Sequence, residues 1–146
     1  RRSRLVERQI WSKDDAIDLS RPLPGNDAFT HVMLHELRIA RCRVATELPY
    51  RIDMVERHPL GSQAFVPLSP SRMIVVVAPP EAGVEASDLR AFVTNGRQGI
   101  NYHCGTWHMP LIAFAEGQEF LIIDRAAGLS NCDEHTLDES VMLVEG

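Results

Sequence analysis

The chain has 146 residues, of which 45% are hydrophobic and 24% charged, and its formal net charge is -5. That length suits one globular domain over residues 1–146, the composition excludes a disordered chain, and the acidic balance argues against a nucleic-acid footprint. Cys42, Cys104 and Cys132 are odd in number and lack C-x-x-C spacing, so neither a disulfide framework nor a thiolate zinc site is expected.

At the N-terminus Arg1, Arg2, Arg4 and Arg8 cluster, as a solvated end or a partner-binding arm would. No signal peptide is read in these residues and no apolar run is long enough for a membrane span, so the cytoplasm is the expected setting, although the chain opens without a Met. Lys13 is the sole lysine, so any recognition of carboxylate or phosphate falls to arginine. Residues 9 to 20 mix charges with isolated apolar residues, and Arg21 to Asn26 reads as a loop.

From Leu34 onward, short strands alternate with turns. Leu34 to Val44 alternates charged and apolar residues, and Tyr50 to Glu56 is a second strand. Ala64 to Leu68 lies between turn residues, and Ile74 to Ala78 is β-branched and closed by Pro79-Pro80. Leu89 to Thr94 precedes the turn signal Asn95-Gly96, while Met109 to Ala115 and Glu119 to Asp124 flank Gly117 as a hairpin. Ser140 to Val144 is compatible with a strand or a helical turn, and residues 87 to 90 with a short helix. The pattern is that of an all-β antiparallel barrel or sandwich with few short helices.

Two segments concentrate chemistry. In Glu56-Arg57-His58-Pro59-Leu60-Gly61-Ser62-Gln63-Ala64-Phe65, Glu56 and His58 share one face of a strand, and Arg57 points to the other. Gln63 returns after a turn, so a carboxylate, an imidazole and an amide oxygen could converge on a divalent metal; a surface turn with a capping Glu fits the same spacing. In the second segment, Asn95 to Pro110, Asn101, Tyr102, His103, Trp107 and His108 fall within eight residues beside three glycines. The separation of His103 and His108 across Gly105 is a loop spacing, and loops on a rigid scaffold commonly carry ligand contacts. Tyr102 and Trp107 also suit a core.

Together these segments resemble the two cupin motifs. Glu56-x-His58 followed by Gln63 is similar to the first, with Glu for the leading His and Gln for the acid. His103-x-Gly105-x-x-His108 is similar to the second, with His for Pro. At closer range the chain resembles the ureidoglycolate lyase family. The string E-R-H-P-L-G-[ST]-Q-A-F is matched at Glu56 to Phe65 and N-G-x-Q-G-[VI]-N-Y-H-x-x-x-W-H-x-P at Asn95 to Pro110. A D-R…N-C-D tail is matched at Asp124-Arg125 and Asn131-Cys132-Asp133. The family's opening Tyr-Gly-Asp segment is absent, and its R-x-H-x-L stretch is replaced by Val6 to Trp11, which keeps Arg8 but lacks the His.

The resemblance implies a cupin-like double-stranded β-helix, a homodimer, and elimination of urea from (S)-ureidoglycolate to leave glyoxylate. It also implies a divalent metal, usually nickel, for which the donor types would equally accept Zn or Mn. The reaction needs a base for the carbinol proton, an acid for the departing nitrogen, and positive charge for the carboxylate and developing alkoxide. Glu56, His58, Gln63 and His108 are the candidate metal ligands. His103 and His108, with Tyr102 and Asn101, are the candidate catalytic residues; Asn95, Gln98 and Trp107 are candidates for substrate binding. Competing expectations are a non-catalytic or regulatory small-molecule-binding cupin, a different metal-dependent cupin enzyme, and an amide hydrolase releasing ammonia.

Overall fold

A computed structural model describes residues 2–3, 35–81, 83–125 and 130–145. The expectations for the remaining N-terminal positions, including the loop over residues 21–26 and the segment around Arg8, lie outside the described residues. The strands are β1 (Arg2–Ser3), β2 (His35–Arg41), β3 (Tyr50–Arg57), β4 (Gln63–Pro67), β5 (Met73–Ala78), β6 (Arg90–Val93), β7 (Ile100–Tyr102), β8 (Trp107–His108), β9 (Ile112–Ala113), β10 (Glu119–Arg125) and β11 (Asp133–Leu143). Among the described residues the helical content is one 3-10 turn, Ala86–Asp88, and no helix is long and apolar enough to cross a membrane.

The strands form two sheets. One runs β1-β11-β3-β8-β5-β6, with β9 also pairing with β5; the other runs β2-β10-β4-β7. All pairings are antiparallel except that of β1 with β11. This is the expected all-β, cupin-like architecture.

Strand β5 shows why the sheets stack. Its alternate residues Ile74, Val76 and Ala78 join one buried apolar cluster with Ile52, Val55, Trp107 and Leu143. Met73 and Val75 join a second with Phe65, Ile100, Tyr102 and Phe120. A strand buried on both faces has no polar alternation, which is why Ile74 to Ala78 is a continuous β-branched run.

The structure departs from expectation in three places. Met109 to Ala115 is not one strand: pairing occurs at Trp107–His108 and Ile112–Ala113, on either side of Pro110, whose ring nitrogen has no hydrogen for a ladder. The segment read as a loop contains two short strands, β7 and β8, with His103 to Thr106 between them. The C-terminal segment is an eleven-residue strand rather than a short element at Ser140 to Val144.

Candidate metal centre

Strand β3 delivers Glu56 near its end, and His58 follows directly after the strand. Strand β8 sits between β3 and β5, with His108 in register with Glu56 on one side and with Val77 on the other. Antiparallel partners in register share a face, so this pairing sets the carboxylate beside the imidazole. Glu56 Oε1 lies 3.4 Å from His108 Nε2 and 3.8 Å from His58 Nε2, and the two imidazole centroids are 5.1 Å apart. Tyr102 stacks on His108 with centroids 4.1 Å apart and an interplanar angle of 17°.

Backbone carbonyls fix both imidazoles. His58 Nδ1 is 2.6 Å from the carbonyl oxygen of Asn131, and His108 Nδ1 is 2.9 Å from that of Thr106. A carbonyl oxygen only accepts, so each Nδ1 carries the proton and donates it. Each ring is thereby held with its Nε2 toward the pocket, as in a histidine oriented for metal binding by its outer partner. Both Nε2 atoms are buried without a hydrogen-bond partner, and so is Gln63 Oε1. Gln63 is in register with Tyr102 and donates from Nε2 to Asp124 Oδ2 at 3.1 Å.

Unpartnered buried polar atoms are costly and call for a reason. A divalent cation supplies one. Glu56, His58 and His108 offer ligand atoms within 4.8 Å of one another, and these borderline N and O donors suit nickel, zinc or manganese. The residues therefore fit a metal.

Local geometry supports the arrangement. The turns after β3 and β7 are tied together by Gly105 N donating to His58 O at 2.9 Å and Cys104 Sγ to Pro59 O at 2.8 Å. Gly105 has φ +77°, a left-handed conformation that glycine adopts without Cβ strain. Asn131 also accepts from Leu60 N through Oδ1 at 2.7 Å, so one residue braces both His58 and the turn beyond it.

Electrostatics separate the roles. Contact with His108 is the largest influence on the Glu56 carboxyl; with smaller help from His58 and Cys132 it outweighs burial and holds the group below its usual range. Burial, then the charge of Glu56, pushes the Tyr102 phenol well up, so it stays protonated near neutrality. Partial burial and Glu56 push the Cys132 thiol up to about 11, which makes it a weak donor to Glu56 Oε2 at 3.6 Å and not a thiolate nucleophile.

The other sequence candidates lie as follows. Asn101 is exposed and in register with Ala64, on the opposite face of β7 from buried Tyr102. His103 is exposed on the turn after β7, outside the cluster of Glu56, His58 and His108. Asn95 and Gln98 brace their own turn: Asn95 N donates to Gln98 Oε1, and Arg97 N donates to Asn95 Oδ1. Trp107 belongs to the apolar core and donates from Nε1 to Glu81 O at 3.1 Å. Asp124 and Asn131 were legible as parts of the tail motif, but their contacts with Gln63 and His58 were not.

The ureidoglycolate lyase family model matches residues 26–144. A protein of Pseudomonas syringae pv. syringae (strain B728a), named ureidoglycolate lyase, is 51% identical over 100 residues, covering 68% of this chain and 59% of its own length. The protein of the same name from Azotobacter vinelandii (strain DJ / ATCC BAA-1303) is 49% identical over 100 residues, covering 68% of this chain and 60% of its own. That of Pseudomonas paraeruginosa (strain DSM 24068 / PA7) is 52% identical over 103 residues, covering 66% and 59%. The chain thus spans about three-fifths of the length of these curated relatives.

Proposed function

The chain belongs to the ureidoglycolate lyase family, and from that premise we propose that it eliminates urea from (S)-ureidoglycolate, leaving glyoxylate, at a divalent-metal centre. The observation that carries the reading is the pair of buried, carbonyl-anchored imidazoles with unpartnered Nε2 atoms facing the Glu56 carboxylate. Glu56, His58 and His108 hold the ion, with Gln63 as fourth ligand, and nickel is the first metal to test. When bound, such an ion polarises a substrate oxygen and stabilises the charge that develops there.

In the reaction the carbinol O–H bond breaks, the C=O of glyoxylate forms, the C–N bond breaks, and the urea nitrogen takes a proton. His103, exposed on the turn after β7, is the proposed carrier of these protons. Tyr102 fixes the His108 ring by stacking and remains a phenol, so it serves as a neutral group and not as a base. The alternation of β7 assigns the inner face to Tyr102 and turns Asn101 to the exposed outer face, away from the metal ligands. Asn95, Gln98 and Trp107 contribute by holding the backbone of the second motif.

The proposal includes a homodimer. Its support is the outer face of the second sheet, where Leu37 and Ile39, each 66% exposed, stand in register with Ile123 and Leu121, and Leu121 with Val66. Three free cysteines support a reducing, cytoplasmic setting.

Incubation of the protein with ureidoglycolate, followed by assays for glyoxylate, urea and ammonia, tests the reading. Glyoxylate and urea in equal amounts are expected. Ammonia in place of urea would identify amide hydrolysis, and binding without turnover would identify a non-catalytic cupin.

A further inference from the structure

A carboxamide has two ends of nearly equal size, and only the oxygen can ligate a cation. Gln63 is buried and in register with Tyr102, the ring that stacks on His108, and which end of its amide it offers on that side is decided by the partner of the other end. That partner is Asp124, which is 8% exposed, arrives from β10, and lies 61 residues away in sequence. Three N–H groups point at its carboxylate: Gln63 Nε2 and Arg38 Nη2 at Oδ2, each 3.1 Å away, and the Arg125 backbone N at Oδ1, 2.7 Å away. Asp124 is an acceptor at both oxygens. A flipped Gln63 would set its own oxygen against a carboxylate oxygen, so the flip is disfavoured and Oε1 turns away, buried and unpartnered.

We propose that Asp124 is a positioning residue that selects the oxygen of Gln63 as the neutral ligand beside Glu56, His58 and His108. This rests on the metal reading above. With a glutamine ligand the donor set carries one formal negative charge instead of two, which leaves a divalent centre net positive toward an anionic hydroxy-acid substrate.

The test is calorimetric titration of Ni²⁺ into chelator-stripped protein, for wild type, Asp124→Asn, Gln63→Met, their combination, and the exchange Gln63→Glu with Asp124→Asn. Asp124→Asn presents an N–H end to Gln63 and allows the flip. It should weaken Ni²⁺ binding by about 10–100-fold, the usual cost of losing a group that orients a metal ligand. Gln63→Met should weaken binding similarly, and adding Asp124→Asn to it should cost nothing more, because the two act through one atom. The exchange variant should recover affinity to within a few-fold of wild type, since a carboxylate at position 63 offers an oxygen at either end and an amide at position 124 supplies the donor. If Asp124→Asn alone does not fold, the exchange variant against Gln63→Met carries the same comparison. Unchanged Ni²⁺ affinity in Asp124→Asn would overturn the proposal, as would multiplying losses in the combination or an exchange variant no tighter than Gln63→Met. Failure of wild type itself to bind Ni²⁺ would instead overturn the metal reading.

Discussion

On one side of β3 and β8, Arg57 donates from Nε to Asp133 Oδ2 at 3.0 Å and from Nη1 to Glu81 O at 3.1 Å, with its guanidinium 4.5 Å from the centre of the Trp107 ring. On the other side of the same strands, Glu56, His58 and His108 converge, and both imidazole Nε2 atoms are left without a partner. Neighbouring residues built the two faces, Arg57 beside Glu56 and His58, Trp107 beside His108. One face pairs its polar groups and the other aims them at a common point. Full pairing serves folding; unpaired, convergent, buried donors serve a ligand. Unsatisfied valence, more than residue type, distinguishes the functional face from the structural one.

The largest effect should follow from breaking the convergent face. His108→Gln and His58→Gln should each abolish Ni²⁺ loading, measured by elemental analysis, and drop turnover to that of chelator-stripped protein. That loss should exceed the about 10–100-fold attached to groups that only support a ligand. Retained metal in either variant would place the ion elsewhere.

The exposed ring of His103 belongs to neither face. His103→Gln should lower turnover by about 10²–10⁴-fold if it carries protons. Stability should change by roughly half a kcal/mol or less, as for most surface substitutions. Measuring thermal midpoint and turnover on one preparation decides the point; an earlier-melting variant with full turnover would make the residue structural.

The paired face should respond in stability alone. Arg57→Met removes a partly exposed ion pair and a cation–π contact, together worth about 1–2 kcal/mol. The expected result in denaturant unfolding is a lower midpoint with Ni²⁺ affinity unchanged. A fall in affinity would show that the faces are coupled through β3.

The smallest effect concerns acid. Glu56 has a folded-state value below the ordinary 4.5, so its contribution to stability is fully present above that value and lost as pH falls through the depressed one. In metal-free protein, the stability difference between wild type and Glu56→Gln should be constant above about pH 5 and shrink at lower pH. A difference that grew on acidification would contradict the sign.

Much of this was legible in the sequence. The continuous run at Ile74 to Ala78 announced a strand buried on both faces, and the spacing of Glu56 and His58 put their side chains on one face. Strand β11 was not legible because its buried residues, Leu137, Val141 and Leu143, share one face but are interrupted by the exposed polar run Asp138, Glu139 and Ser140, which leaves the inward position 139 charged. A register shift between Thr136 and Val141 interrupts the pairing with β3 there, and the stretch before it is largely charged and exposed. Of the site, side-chain chemistry was visible and its supports were not. The anchors of His58 and His108 are backbone carbonyls, which no residue type signals. Asp124 meets Gln63 only because β10 pairs with β4.

The proposed role of the convergent face as a metal centre for ureidoglycolate cleavage meets its most direct test in the turnover of chelator-stripped protein against added Ni²⁺, read as glyoxylate released. Negligible glyoxylate is expected without metal, with recovery that saturates at one ion per chain. Full turnover in metal-free protein would contradict it.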